Sequence, residues 1–406
     1  MKILILTQYY PPETGAPQNR LHNLATFLLS KGVEVSVLTA MPNYPQMKIY
    51  KGYEKKWYCT EKIDAIQIHR CKIYVSSNRD IISRLLNYFS FVITSLFIGL
   101  IKIRKQDFIL CESPPLFLGI TALLLKKAKG AKLIFNVSDL WPESAEKLGI
   151  INNKFLLNIS YMLEEYLYRH SHLITCQTQG IVNNIAKRIK DKRIWWFRNG
   201  IDFSFFNPQN IIKDWRTEHS IATNDFILCY AGIIGYAQGL DVIIKAAKLL
   251  KKEETVKFVI IGNGPEKQRL INLANDYSLS NIIFFDALNK NEIPALLKAI
   301  NAAIIPLKKL ELFKGAIPSK TLECLAMSKP VLLGVEGEAY QLFVEQGKCA
   351  LAFEPENETD LTDKILYLYK NPDIAQTLGN NGYNFVKEYF NRDIINEEFF
   401  NLLFNK

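Results

Sequence analysis

Short apolar runs, each followed by a turn and then by a stretch with helical spacing, recur along this 406-residue chain and start afresh near its middle. In the first half they lie at 3–7, 33–39, 108–112, 132–137 and 173–178. In the second half they lie at 227–231, 257–261, 282–285, 303–306 and 331–335. Brief apolar runs alternating with amphipathic helices are what strands buried on both faces of a parallel sheet require. The opening shows the logic. A strand at 3–7 leads into the loop 8–16 (QYYPPETGA), then a helix with Leu21, Leu24, Ala25 and Leu28 on one face, a stop at Gly32, and the strand 33–39. That is a βαβ unit, whose crossover is right-handed. Helices are expected in the second half at about 239–251, 265–277, 291–300 and 319–328, with a closing helix pair at 383–405. One core rarely serves more than about 250–300 residues, so two domains are expected. The fold class is therefore α/β, two Rossmann-like doubly wound domains facing across a cleft.

Fifty basic and 40 acidic residues leave a formal charge of +10. That permits nucleic acid, anionic lipid or phosphorylated small molecules as partners. The lysine pairs Lys55-Lys56, Lys126-Lys127 and Lys251-Lys252 fall at helix ends or in loops, and no basic run interleaves with aromatics. Nucleic acid is thus the least favoured partner. The seven cysteines are scattered, odd in number and without a CxxC pair, which reads as reduced core thiols of a cytosolic protein. MKILILTQYYPP runs straight into a strand and turn, so no signal peptide is expected.

Residues 85–101 carry no charge and are flanked by Arg84, Lys102, Arg104 and Lys105. The length is at the lower limit for a membrane span. The strand at 108–112 then resumes the first sheet, and one sheet cannot straddle a bilayer. Two readings are left: a buried domain helix, or a helix with its apolar face in the bilayer surface and its basic ends on headgroups. Phe89, Phe91, Leu96 and Phe97 are more apolar material than one covering helix needs, which favours the surface helix.

The chemistry centres on 312–335, LFKGAIPSKTLECLAMSKPVLLGV. Pro318 ends a loop, Ser319 suits an N-cap, and Leu322, Leu325 and Ala326 share the inner face of a helix stopped by Lys329-Pro330. Lys320 and Glu323 fall on one face of its first turn. A lysine at a helix N-terminus suits a phosphate, and a carboxylate one turn in suits the vicinal hydroxyls of a ribose. The alternative is a surface pair worth about 0.3–0.5 kcal/mol. Glycine-bearing turns follow several strands: Gly15 in the first, Asn199-Gly200 beside Arg198 in RNGID, Gly232, Gly235 and Gly239 in AGIIGYAQGLD, and Gly262 and Gly264 in IIGNGPE. Singly each is only a turn. Together, at the C-terminal ends of strands, they mark a nucleotide diphosphate site.

On QYYPPETGAP, DLWPES, TQG, RNGID, GYAQGLD, GNGPE and PSKTLECLAMSKPVL the chain resembles the retaining GT-B glycosyltransferases of family 4, over nearly its whole length. It is most similar to the bacterial enzymes of O-antigen and capsule synthesis, including the transferases of N-acetyl-L-fucosamine. The resemblance implies an acceptor-binding domain at 1–196 with a membrane-associating segment at 81–105, a nucleotide-sugar domain at 197–385, and a helix at 386–406 crossing back. It assigns Glu323 to ribose, Lys320 and Arg198 to the diphosphate, and Gly15, Asn199, Gly200, Gly235, Tyr236, Gln238, Gly262, Gly264 and Ser319 to the substrates. Asp139 would orient the acceptor hydroxyl or stabilise charge on the sugar, unless it is only an N-cap, and Glu143 is a lesser candidate. The first of the family's two spaced glutamates falls at Gly315, which has no side chain, and Ile233, Ile234 and Gln238 stand where a basic pair is usual. His22, His170 and His172 read as surface or packing residues and Trp195-Trp196 as domain-junction core.

The implied activity is transfer of an N-acetylated amino sugar from UDP to a sugar on a polyprenyl diphosphate, with retention and without a metal or other cofactor. The setting would be the cytoplasm, peripherally on the inner face of the bacterial cell membrane. Two rivals share the architecture: a non-hydrolysing UDP-sugar epimerase, which has no use for the 85–101 segment, and a non-catalytic nucleotide-sugar scaffold, suggested by Gly315.

Overall fold

The structure, a computed structural model, describes residues 1–13, 15–76, 78, 81–147 and 153–404, with the side chain of residue 81 excepted. Thr14 of the 8–16 loop and the last two residues of the expected 386–406 helix therefore lie outside the described residues.

The chain forms two compact units, Met1–Asn199 with Ile395–Lys406, and Gly200–Ile394. The first unit holds β1 (Lys2–Leu6), α1 (Ala16–Ser30), β2 (Glu34–Ala40), β3 (Tyr58–Ile63), β4 (Ile66–Cys71), α2 (Ile81–Lys102), β5 (Phe108–Ser113) and α3 (Leu118–Lys129). It continues through β6 (Lys132–Val137), α4 (Glu143–Lys147), α5 (Lys154–His170), β7 (Leu173–Cys176), α6 (Gln179–Arg188) and β8 (Ile194–Trp196). Its eight strands run in the order β3-β4-β2-β1-β5-β6-β7-β8. All neighbours pair in parallel except β3, which returns antiparallel along β4. The β3–β4 hairpin escaped the sequence reading because YCTEKI mixes charges into the run expected of a buried strand, and as an edge strand β3 needs only one apolar face.

Strand order reverses between β1 and β5, the position where doubly wound sheets open a crevice at their C-terminal ends. The sheet carries two cores. Leu21, Leu24, Ala25 and Leu28 of α1 cover one face together with Ile395 and Phe399. Helices α2, α3 and α5 cover the other through Phe91, Leu118, Ala122, Leu125, Leu167 and Tyr168.

The second unit holds β9 (Phe226–Ala231), β10 (Val256–Ile261), β11 (Ile282–Phe285), β12 (Ala302–Pro306), β13 (Val331–Gly334) and β14 (Ala350–Ala352) in the order β11-β10-β9-β12-β13-β14. Its helices are α7 (Trp215–Glu218), α8 (Asp241–Leu249), α9 (Lys267–Asp276), α10 (Ile293–Ala299), α11 (Ser319–Ala326), α12 (Glu338–Tyr340), α13 (Glu358–Lys370) and α14 (Pro372–Tyr389). Here the order reverses between β9 and β12. The last helix, α15 (Arg392–Phe404), starts in the second unit and belongs to the first from Ile395 onward. Position 386 thus falls inside α14, in the second unit, rather than at the start of the returning helix.

Helix α2 is long and apolar enough to cross a membrane. It runs instead beside the sheet, because β4 before it and β5 after it are strands of that sheet. It is apolar on both faces: Phe91 and Val92 face inward with the small or polar Ser83, Asn87, Ser95 and Gly99, while Ile82, Leu86, Phe89, Ile93, Phe97 and Leu100 face out. Phe97 is 60% exposed, but Phe91 is fully buried, so the outward apolar material does not include it.

Candidate active site

Strand β9 is followed by Gly232, at φ +150, and its neighbour β10 by Gly262, at φ +146. Both values favour glycine. The two turns run against each other: Gly232 donates its amide to the Ile261 carbonyl at 2.9 Å, and Ile234 donates to the Asn263 carbonyl at 3.0 Å. A methyl group at Gly262 would meet the Gly232 carbonyl oxygen, and one at Gly264 the Ile234 carbonyl oxygen. Gly262 and Gly264, expected to line a phosphate, are therefore needed first for the approach of one turn to the other.

Beside them α11 begins. Its N-cap is Pro318, and Ser319 is its exposed first helical residue, so the expected Ser319 cap is replaced. Lys320 on the same turn reaches back over Gly232, where a side chain would displace its ammonium. Lys320 Nζ donates to Tyr230 Oη at 2.9 Å and lies 4.0 Å from the ring centre, while Tyr230 Oη donates to the Ile233 carbonyl at 2.6 Å. Burial pushes the Lys320 ammonium down to about 8, against the opposing pull of Cys324, Glu323 and Cys229. Burial raises the Glu323 carboxyl, against the cations Lys320, Lys290 and Arg392. The Glu323 carboxylate makes no hydrogen bond or ion pair among the described residues. A cavity of about 170 Å³ opens on Gly232, Lys320 and Glu323, with Ala231, Ile293 and Leu297 as its apolar wall.

The GYAQGLD turn divides from this group. Gly235 and Tyr236 line a different cavity of about 460 Å³ with Asp241, Arg269 and Lys308. Lys308 Nζ lies 3.7 Å over the Tyr236 ring. Gln238 folds toward Gly235 and Gly239, at φ +59, closes the turn. Gly315 faces open space.

In the first unit Gly15 is the extended N-cap of α1, with the Gln18 side chain over it. Asp139 is exposed at the end of β6 and accepts from Ser144 Oγ at 2.6 Å, so it is tied to the first turn of α4. Glu143 pairs with Lys147. Arg198, expected at a diphosphate, turns both terminal nitrogens to Glu398 on α15 at 3.1 and 3.2 Å. Its charge is already met within its own unit. Gly200 accepts from Arg392 through its carbonyl at 3.4 Å. The Trp195 and Phe197 rings stack, and both pack on Phe399 of α15.

Sequence reasoning missed a buried polar network. Arg20 of α1 donates to Glu112 at 2.8 Å, Ser138 at 3.0 Å and Asn199 at 2.9 Å, and also to Gln177. Glu112 accepts from Asn136 at 2.7 Å, which in turn accepts from Thr175 at 2.7 Å. The network joins the ends of β5, β6 and β7 and draws Asn199 into the first unit. Glu13 in the QYYPPETGAP loop was missed too. Its carboxylate takes the backbone amides of Tyr10, Asn43 and Tyr44 at 3.1, 2.7 and 2.8 Å. Among the described residues no three His, Cys, Asp or Glu side chains gather as a metal site would need.

Residues 18–205 match the Glycosyltransferase Family 4 domain, and residues 211–385 match Glycosyl transferases group 1. Among curated proteins the chain is 27% identical to the putative colanic acid biosynthesis glycosyl transferase WcaI of Escherichia coli K12, over 98% of this chain and 99% of that one. It is 24% identical to the O-antigen chain mannosyltransferase C of Escherichia coli, over 62% of this chain and 66% of that one. Among solved structures it resembles Anabaena Alr3699/HepE in complex with UDP and glucose, with a TM-score of 0.72 at 17% identity, covering 99% of each chain.

Proposed function

We propose that this chain, a GT-B glycosyltransferase built from a family 4 domain followed by a group 1 domain, moves an N-acetylated amino sugar from UDP to a sugar on a polyprenyl diphosphate. The pathway would be that of a bacterial surface polysaccharide, O-antigen or capsule, as the names of its relatives suggest. One observation carries the donor half of this reading. The first turn of α11 presents a lysine over a bare glycine and, one turn on, a carboxylate with no protein partner among the described residues. A diphosphate answers the first and a ribose the second.

As the bond from sugar to diphosphate breaks, negative charge grows on the leaving oxygen. Lys320 and the N-terminal end of α11 would stabilise it, and losing one such contact commonly costs about 10²–10³ in rate. The acceptor hydroxyl would attack from the face the diphosphate leaves, giving up its proton to the departing phosphate oxygen, so configuration is retained without an enzyme nucleophile. Asp139 would orient that hydroxyl. No metal is needed in this scheme, because the lysine and the helix end supply the positive charge. Helix α2 would rest its outward apolar face on the inner leaflet of the cell membrane.

The test is a screen of UDP-sugars with a lipid-diphosphate sugar acceptor, read by mass, with and without EDTA. One product with acceptor and none without it supports transfer. Turnover of donor alone would favour an epimerase, UDP binding with no turnover a scaffold. Loss of activity on chelation, restored by Mg²⁺ or Mn²⁺, would end the metal-free scheme.

A further inference from the structure

We propose that helix α5 is a second membrane-surface element, lying across α3 from α2, and that the two form one platform seating the first unit on an anionic bilayer. The inference rests on reading α2 as a surface helix. Helix α5 repeats the arrangement independently. Phe155, Ile159, Met162 and Tyr166 recur at helical spacing, and all are exposed, Phe155 at 71% and Met162 at 73%. The opposite face is committed to the protein: Leu157, Leu167 and Tyr168 are buried, and the buried Glu164 is held by Arg188 and by Tyr168 Oη at 2.8 Å. A helix with a satisfied inner face has no packing reason to carry a second apolar stripe outward.

The two stripes are held side by side by α3. Gly99 of α2 leaves room for Leu125 of α3, and Gly119 of α3 leaves room for Leu167 of α5. At the far end Lys129 Nζ donates to the Leu100 carbonyl at 2.8 Å and Lys126 Nζ to the His170 carbonyl at 2.7 Å, fastening α3 to both neighbours. Between the stripes Leu124 of α3 is exposed as well. At the other end a row of rings, with Phe117 buried and Trp141 half-buried, packs beneath the exposed Phe89 and links the helices. Phe89 lies 4.7 Å from Phe117, and Phe117 lies 5.4 Å from Trp141. Trp141 packs with Leu157 and Tyr161 of α5, two residues after Asp139. The platform therefore reaches from α2 to α5 past the loop that would meet the acceptor.

Charge selects the occupant. Neither α2 nor α3 carries a carboxylate, the two on α5 are paired (Glu164 with Arg188, the half-exposed Glu165 with Arg169 and Arg188), and Arg84, Lys102, Arg104, Lys127 and Lys154 stand exposed. An apolar centre with a basic rim fits acyl chains below anionic headgroups.

The experiment uses the full chain and vesicles of phosphatidylcholine, alone or with about one-third phosphatidylglycerol. Phe155→Ser/Met162→Ser should weaken co-sedimentation with the anionic vesicles about tenfold or more, with unchanged melting temperature and unchanged UDP affinity. Ile93→Ser/Phe97→Ser on α2 should do the same. If the double variant loses stability, Met162→Ser alone repeats the measurement at the most exposed position. Full vesicle binding by the α5 variants, with loss only in the α2 variant, would overturn the platform and leave the α2 reading standing. No vesicle binding by the unaltered protein would overturn both. Self-association that the α5 variants abolish while vesicle binding persists would make this face a contact between copies of the chain, and would also overturn the proposal.

Discussion

The Lys320 ammonium makes UDP binding titratable in a range that calorimetry can follow. In the free protein it has one neutral hydrogen-bond partner, Tyr230, and no ion pair among the described residues, and burial brings its pKa down to about 8. A diphosphate brought against it favours the charged form and raises that pKa, so binding above pH 8 takes up a proton. The sign follows: the charged lysine is present below about pH 7 and is lost as pH rises through 8. The charged fraction falls from about 0.9 at pH 7 to about 0.1 at pH 9, so UDP affinity should drop about tenfold across that interval. The last ionisation of the terminal phosphate lies at about pH 6, mostly below this interval, and adds only a small slope of opposite sign near pH 7. Lys320→Arg keeps a charge that does not titrate in this range and should flatten the profile. Lys320→Ala should bind weakly at every pH and lower turnover at least tenfold. Calorimetry in two buffers of different ionisation enthalpy measures both affinity and proton uptake. A flat profile for the unaltered protein, or an Ala variant that keeps the slope, would refute the assignment of Lys320 to the diphosphate.

Three other outcomes follow from the same geometry. Glu323→Ala should weaken UDP binding about tenfold while leaving the melting temperature unchanged or higher, because no protein partner loses a bond. Gly262→Ala should fail to fold stably, since its methyl meets the Gly232 carbonyl oxygen at φ +146, whereas Gly315→Ala, facing open space, should fold normally; thermal unfolding of both decides. Phe91→Ala should cost about 3–5 kcal/mol of stability as a core cavity, and Phe97→Ala should leave the melting temperature unchanged while weakening vesicle binding.

Much of the framework was readable because buried parallel strands leave a strong mark. VLLG at 331–334 and VKFVII at 256–261 allow few other fates once helices flank them. The first turn of α11 was readable for a similar reason, since three-residue spacing on a short helix fixes which side chains share a face. Arg198 shows where such reading stops. RNGID places an arginine at a turn, but only the fold reveals that α15 brings Glu398 to it from 200 residues away. Helix α2 shows another limit. The sequence favoured an outward apolar face, but periodicity did not tell which apolar residues it holds, since Phe91 and Val92 are buried while Phe97 is exposed. Here Ser83, Asn87, Ser95 and Gly99 are inward because α3 approaches too closely for larger side chains at Gly99, and because Asn87 takes a hydrogen bond from Gln8 at 2.8 Å.

The Arg20–Glu112 network was hidden for a different reason, and its signal was present all the same. Its members come from positions 20, 112, 136, 138, 175, 177 and 199, so no local motif contains two of the charges. Yet Glu112 lies inside the run FILCES and Asn136 interrupts LIFNV, each where a strand buried on both faces admits no unsatisfied polar group. A carboxylate at such a place must be met by a cation from elsewhere in the same unit. Here Arg20, early in a helix that follows the neighbouring strand β1, meets it at 2.8 Å. A polar residue inside an apolar run is therefore a stronger pointer to a distant partner than a glycine after a strand is to a phosphate. The glycines of this chain bear that out, since two of the turns they form are spent on packing against one another.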